Sequence, residues 1–173
     1  MAWAIDPTHS TIGFSGKHML ISTVRGQFRT WSADAAIDEQ KLENSKATVR
    51  IDAASVETGV EQRDNHLRSA DFFDVENHPE IVFSLKSVTP DGEDYRLAGD
   101  LTIRGTTREV VLKGSVDGPL QDPWGGVRIG VSAEGKLNRN DWGLTFNSVL
   151  PTGGLLVGDQ IKISIDAELV KAA

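Results

Sequence analysis

Apolar residues recur at every second position through most of this chain, the period of a strand with one buried face and not the 3.6 of a helix. Ile12, Phe14, Gly16 and His18 share one parity, against Thr11, Gly13, Ser15 and Lys17 on the other. Val24, Gly26 and Phe28 oppose Arg25, Gln27 and Arg29, in a run that extends through Ala33, Ala35 and Ile37. Ala47, Val49, Ile51 and Ala53 form a third inward set, and Ile81, Phe83 and Leu85 a fourth that the turn signal Pro90-Asp91-Gly92 ends. Tyr95, Leu97, Gly99, Leu101 and Ile103 come next; Arg104-Gly105-Thr106-Thr107 reads as a tight turn, after which Val110, Leu112, Gly114 and Val116 resume. Val127, Ile129, Val131, Ala133 and Leu137, then Ile161, Ile163, Ile165, Ala167 and Leu169, complete about eight antiparallel strands.

Eight strands with one wet face are most economically closed into a barrel, which leaves no unpaired edges, although a two-sheet sandwich would alternate in the same way. Glycines at inward positions, Gly16, Gly26, Gly99, Gly114 and Gly135, favour the barrel. They mark either sharp bends of a small closed sheet or space beside a ligand. Two stretches break the alternation. Residues 57–75 set Val60, Asp64 and Leu67 at helical spacing, which predicts a short helix from Thr58 or Gly59 crossing between strands. Residues 138–159 carry Trp142, Leu144, Phe146, Leu150, Leu155 and Leu156 among glycines and Pro151, too apolar for an ordinary surface loop. That stretch reads as a plug over a barrel end, as a cavity wall, or as both.

Composition changes this picture mainly by exclusion. A length of 173 residues fits a single domain over residues 1–173, and 39% hydrophobic residues plus 17 glycines are ordinary for a folded protein. The net charge of −7 argues against nucleic acid, which calls for a basic surplus. The lack of cysteine removes disulfides, thiol nucleophiles and thiolate metal sites. No apolar run reaches the roughly 18 residues of a membrane-spanning helix. The start of the chain lacks a basic and apolar leader, so a cytoplasmic location is expected, or a periplasmic one if a signal has been removed.

Candidate chemistry is sparse. His9, His18, His66 and His78 fall in no HxH or HExxH spacing, leaving only a metal site built from distant segments. No serine lies in a GxSxG elbow, and neither Gly125-Gly126 nor Gly153-Gly154 leads into a phosphate-loop helix. His18 has inward parity, as a hydrogen-bonded interior histidine or as a polar contact for a ligand. Between Thr8 and Ala33 there is no acidic residue, whereas Lys17, Arg25 and Arg29 all lie there; Arg63 and Arg68 stand near His66. Converging at a barrel mouth, these groups would hold an anionic or polar head. The plainer alternative is a solvated basic face, with Glu57, Glu61, Asp64 and Asp71 neutralising the helix arginines.

The blocks IDPTHSTIGFSGKHM, STVRGQF, EQRDNHLRSADFFD, GDLTIRGTTREVVL, DPWGGVRIGVSAEGKLNRNDWGL and LLVGDQIKISIDAELV, in that order and over nearly the whole chain, resemble the YceI-like family of polyisoprenoid-binding proteins. The resemblance implies an all-β, lipocalin-like barrel of eight antiparallel strands with a short helix across it. Inside would lie a long apolar pocket for an isoprenoid or other lipid-like ligand. It implies no catalytic residue, cofactor or metal, and brings in the homodimer as an assembly. Carried over position by position, it implies a pocket lined by Phe14, His18, Phe28, Phe72, Phe73, Phe83, Ile129 and Trp142. Leu67 would seal the helix onto the barrel, and His18, Arg25 and Arg63 would meet the polar head. A fatty acid, fatty amide or quinone is an open alternative ligand. The leading expectation is thus a non-enzymatic carrier or sequestering protein. Its rivals are an enzyme acting on such a lipid through His18 and a distant carboxylate, and a stress-related protein with a filled barrel.

Overall fold

The period-two runs fold into antiparallel strands that wrap around one apolar interior. In the computed structural model, residues 3–19, 21–148, 150 and 156–171 are described. The strands are β1 (Ala4–Ile5), β2 (Thr11–His18), β3 (Ser22–Phe28), β4 (Trp31–Ala36), β5 (Lys46–Asp52), β6 (Val56–Glu57), β7 (Glu80–Asp91), β8 (Asp94–Ile103), β9 (Thr106–Gln121), β10 (Val127–Asn138) and β11 (Val157–Lys171), with one helix, α1 (Glu61–Arg68). The ladder runs β4-β5-β7-β8-β9-β10-β11-β2-β3-β6, and β1 pairs with the end of β11.

The ladder's two ends, β4 and β6, are stitched at corners instead of forming one more continuous pair. The amide of Arg29 donates to the carbonyl of Ser55 (3.2 Å), and that of Asp52 to the carbonyl of Thr30 (3.0 Å). An isolated bridge joins Trp3 to Ala35. A few contacts thus tie the two ends together without a full seam.

Among the described residues the count of eleven strands exceeds the predicted eight for local reasons. The run over residues 24–37 breaks at Arg29 and Thr30 into β3 and β4, and two-residue strands form at β1 and β6. Pro90 does not end β7: it pairs with Tyr95, and the turn falls at Gly92, whose φ of 63° suits glycine. Arg104 and Gly105 make the β8–β9 turn with φ of 49° and 75°, the two positive values of a type I′ hairpin. The helix begins at Glu61, later than Thr58 or Gly59, with Val60 as its N-cap. Among the described residues no helix is long and apolar enough to cross a membrane.

The inward glycines carry neighbouring side chains. A Cβ on Gly26 would stand 2.4 Å from Cζ of Phe14, one on Gly99 2.6 Å from the ring of Phe83, and one on Gly135 2.6 Å from Leu112. On Gly16 and Gly114 it would lie 2.9 Å from Ile161 and Leu97. The space they leave is therefore taken largely by residues of the barrel itself, and of the five only Gly16 also lines the apolar cavity.

Two buried clusters divide the interior. The larger includes Ile12, Phe28, Ile51, Phe72, Ile81, Leu101 and Trp142; the smaller is Trp3, Ile129 and Leu169. Val157, at the start of β11, pairs with His18, whereas Leu169, near its end, pairs with Ile129. The small cluster consequently fills the end of the barrel opposite His18.

Candidate ligand-binding site

The larger cluster surrounds a cavity of about 590 Å³, within the range of small-molecule sites. Alternation supplies most of its wall. Ile12 and Phe14 come from β2, Val24 and Phe28 from β3, Ile81 and Phe83 from β7, Val110 and Leu112 from β9, and Ile161, Ile163 and Ile165 from β11. The remainder comes from the two stretches that break the alternation. Leu67 of α1 is followed by Phe72 and Phe73, and Trp142, Leu144, Phe146 and Leu156 come from the 138–159 stretch. Aromatic rings touch around the wall: Phe14 and Phe28 at 5.5 Å between centroids, Phe28 and Phe73 at 5.7 Å, Phe72 and Phe146 at 5.4 Å.

Six wall residues carry polar side chains: Lys17, His18, Gln62, Arg63, His66 and Arg139. Among the described residues the wall has no Asp, Glu, Ser, Thr, Tyr or Cys. Lys17 and His18 at the end of β2, and Val60 and Gln62 at the start of α1, are the exposed members, so the mouth opens between those elements.

The helix is held at that mouth by a compact polar knot. Buried Asp64 accepts from the amide of Thr58 (2.8 Å) and from its hydroxyl, while Arg63 returns Nε to Thr58 Oγ1 (2.7 Å) and Nη2 to Thr58 O (2.9 Å). Arg68 donates to the carbonyls of Ala54 (2.8 Å) and Val56 (3.0 Å), pinning the helix C-terminus to the corner before β6. Arg104 at the β8–β9 turn donates to Phe72 O (3.0 Å), which fixes the segment after the helix. His66 contacts Asp71 through Nε2 (2.8 Å) and packs edge-on against Phe72 and Phe146.

The described residues of the 138–159 stretch are both cover and wall, because one buried cation organises them. Arg139 is 4% exposed and donates to the carbonyls of Leu144, Phe146 (2.9 Å), Val157 (3.3 Å) and Gly158 (2.9 Å). Burial lowers its pKa from the ordinary arginine value, against the opposing pull of Asp159. Trp142, 3% exposed, donates its indole N–H to Leu101 O (2.9 Å), so the stretch is tied to β8 as well. Leu155, Pro151 and Gly153-Gly154 lie outside the described residues.

Eight of the ten side chains proposed from sequence stand on this wall: Phe14, His18, Phe28, Arg63, Phe72, Phe73, Phe83 and Trp142. Arg25 does not, since it lies on the outer parity of β3, exposed and paired with Ser15. Ile129 has inward parity but the wrong height, and packs with Trp3 and Leu169 at the closed end. Of the five basic residues expected to converge, Arg29 is held by Glu57 and Arg68 by backbone carbonyls, so with Arg25 outside, Lys17 and Arg63 alone border the cavity, Lys17 with its ammonium turned to Thr23 on the outer face. Gln62 and Arg139 are wall residues that the sequence did not point to as ligand contacts; Lys17 figured only within the basic group expected at the mouth, and His66 only as a neighbour of that group.

A separate polar cluster lies near the closed end. Asp6, His9 and Glu168 bring potential ligand atoms within 4.8 Å of one another. Arg128 already serves them: Nη1 lies 2.8 Å from Asp6 and 2.7 Å from Glu168, and Nε lies 3.1 Å from Asp122. Hydrogen bonds from Thr8, His9 and Arg128 hold Asp6 below the usual carboxylate range, and the bond to Asp6 raises His9. The protein's own guanidinium thus stands where a cation would, and the cluster reads as a structural clamp.

An antiparallel sheet wrapped around an apolar cavity, with a short helix at its open end, is a lipocalin-like fold. The sequence matches the YceI-like domain over residues 3–169, and the chain belongs to that family. It is 36% identical over 167 residues to a UPF0312 protein of Staphylococcus aureus strain N315, covering 96% of this chain and 95% of the relative. A Staphylococcus epidermidis UPF0312 protein is 37% identical over 164 residues, 94% of each. The Campylobacter jejuni YceI protein superposes with a TM-score of 0.78 at 33% identity, covering 91% of this chain and 90% of that one. Burkholderia cenocepacia BcnA (TM-score 0.83, 21% identity, 95% and 98% covered) shares the fold. So does a polyisoprenoid binding domain from Saccharophagus degradans implicated in plant cell wall breakdown (0.69, 16%, 100% and 99%).

Proposed function

We propose that this protein binds a long-chain isoprenoid or a similar amphiphilic lipid, tail inside the barrel and head at the mouth, and carries or sequesters it without transforming it. The cavity wall carries the reading: aliphatic and aromatic side chains form most of it, and its polar members include Lys17, His18, Gln62 and Arg63 around the mouth and helix. Each buried CH₂ contributes about 0.8 kcal/mol, so a long tail binds tightly with few polar contacts and with little selectivity for its detailed shape. The fold neighbour from Saccharophagus degradans is a polyisoprenoid binding domain, which supports the same class of ligand here.

The competing reading, catalysis on a bound lipid, has one observation in its favour: His66 on the wall is paired with Asp71 at 2.8 Å. Against it, no hydroxyl or thiol nucleophile lines the cavity among the described residues, and no carboxylate stands there beside His18. Organic extraction of the purified protein followed by mass spectrometry decides between them. An intact prenyl or acyl compound recovered in stoichiometric amount supports the carrier. Turnover of such a compound, lost in His66→Ala or His18→Ala, would replace it with an enzyme. Failure of delipidated protein to take up any long-chain probe would point to a barrel filled by its own side chains.

A further inference from the structure

We propose that the open end of the barrel seats on the surface of an anionic lipid bilayer, with the tip of the β2–β3 hairpin in the interface and a row of cations on the outer face beside it meeting the phosphates. This surface lies outside the cavity, and it does not depend on which molecule the cavity holds.

The first observation is apolar exposure gathered at one opening. Six large apolar side chains are exposed among the described residues, and three of them, Met19, Ile21 and Val60, lie at the end of β2, the start of β3 and the start of α1, around the mouth. Ile21 is 82% exposed, yet the turn that carries it is held by backbone bonds: its amide donates to His18 O (3.2 Å), and that of Met19 to Leu156 O (2.9 Å). Single apolar residues on a surface are ordinary. Here a fixed turn holds an isoleucine out into solvent beside two further apolar side chains and the entrance of an apolar cavity.

The second observation is a row of positive charge behind that tip. Lys136 pairs with Lys162, Lys162 with Ser15, and Ser15 with Arg25, so one line across β10, β11, β2 and β3 carries three cations on the outer face. Lys17 lies one step nearer the tip on the same face, with Nζ donating to Thr23 Oγ1 (2.9 Å). Like charges directly opposed, as Lys136 and Lys162 are, disfavour a sheet. Exposed Glu134 stands 3.6 Å from Lys162, whereas Lys17, Arg25 and Lys136 form no ion pair within 4.0 Å among the described residues. The acids around the mouth are mostly engaged: Glu57 with Arg29, Asp71 with His66, Asp159 with Arg139 and buried Asp64 with Thr58, which leaves Glu61 exposed.

In a chain of net charge −7, cations collected on one face turn that face towards an anionic surface while the remainder is repelled. Three residues separate Ser15 from His18, roughly 10 Å of strand, so the row stands about one Debye length behind the tip and feels the same surface. An aliphatic tip with cations just behind it suits an interfacial anchor, in which the apolar group enters the headgroup region and the charges stay among the phosphates. The mouth lies at this end, so a tail passing between bilayer and cavity avoids crossing water.

The test is flotation of delipidated protein with vesicles of phosphatidylcholine alone and of an equimolar mixture with phosphatidylglycerol. Retention on the mixed vesicles alone, weakening as salt rises, is the expected result. Partitioning should fall about fivefold in Arg25→Gln and in Lys162→Gln, and by about as much or more in Ile21→Asp. It should hold in Lys46→Gln and Trp124→Ser, whose exposed side chains lie towards the closed end. None of these five residues lines the cavity, so uptake of a long-chain probe from dilute solution should match the parent protein in every variant, and loss of docking is read apart from loss of tail binding. Equal retention on both kinds of vesicle, retention indifferent to salt, or retention kept in Ile21→Asp and Arg25→Gln overturns the proposal. Retention on neither kind removes the bilayer as the occupant of this face.

Discussion

The ring of Phe14 lies over Gly26 on the neighbouring strand, and the two are directly opposed in the β2–β3 register. A methyl group at Gly26 would come within 2.4 Å of Cζ and 2.8 Å of Cε1 of that ring, so it must displace Phe14 towards the cavity. Gly26→Ala should therefore cost about 1–3 kcal/mol and reduce uptake of a long-chain probe. Adding Phe14→Leu should recover part of the stability, as urea denaturation of the two single variants and the double will show. Gly99→Ala behaves differently. Its methyl would meet the Phe83 ring at 2.6 Å but also the backbone oxygen of Ser84 at 2.6 Å, so trimming Phe83 should bring no recovery.

Arg139 is the element most of the cavity cover depends on. Replacing it with methionine keeps much of the volume but removes donors to four carbonyls between Leu144 and Gly158. Hydrogen bonds to a charged donor are worth about 1.5–3 kcal/mol each before compensation by water, and the freed carbonyls can turn to solvent once the segment lifts. Arg139→Met should destabilise the protein by about 3 kcal/mol and expose the chain near Phe146 to limited proteolysis. Protection from protease equal to that of the parent protein would show that Trp142, bonded to Leu101, holds the cover alone.

The strand faces were legible because alternation is a local property: which side of β2 or β11 a residue occupies depends on its neighbours only. Arg25 follows that rule: its parity with Gln27 sets it outside with the rest of the polar face of β3, and a head-group contact for it runs against its own alternation. Ile129 shows the limit of parity. Its face is right, but its height along the barrel follows from pairing with Leu169, a long-range register that no local pattern encodes. The same holds for Arg139 and Gly158, or for His66 and Asp71: hydrogen bonds made by irregular chain depend on where the strands have already brought it.

The clamp near the closed end predicts a pH dependence with two limbs. Asp6 is held low by Thr8, His9 and Arg128. Asp122 is also low, because the Gly126 amide and Arg128 outweigh the opposing effect of burial. A carboxylate lowered in the folded state stabilises the fold above its unfolded pKa, and that contribution is lost as pH falls through the acidic range. His9 is raised by Asp6, so its contribution is full below the unfolded histidine value and fades as pH rises through the folded one. Thermal midpoints should consequently be highest in mildly acidic buffer. Asp6→Asn should lower the midpoint at neutral pH and flatten both limbs, since it removes the partner of His9 and one of the partners of Arg128. A pH profile unchanged by Asp6→Asn would assign the dependence to other groups.

Trp142 offers a direct report on occupancy. Of the four tryptophans it is the one on the cavity wall: Trp3 belongs to the closed-end cluster, Trp124 is 81% exposed, and Trp31 is off the wall. A brominated long-chain lipid, whose heavy atoms quench indole emission on contact, should quench part of the fluorescence of the parent protein. The same fraction should be lost from the response in Trp142→Phe and kept in Trp124→Phe. The Trp142 substitution gives up the bond to Leu101 O, at about 1 kcal/mol, a cost that a domain of ordinary stability tolerates. Since the phenyl ring retains most of the apolar contact, affinity measured by an independent assay should change little while the optical signal goes. Quenching that persists in Trp142→Phe would place the bound tail away from this wall and against another tryptophan.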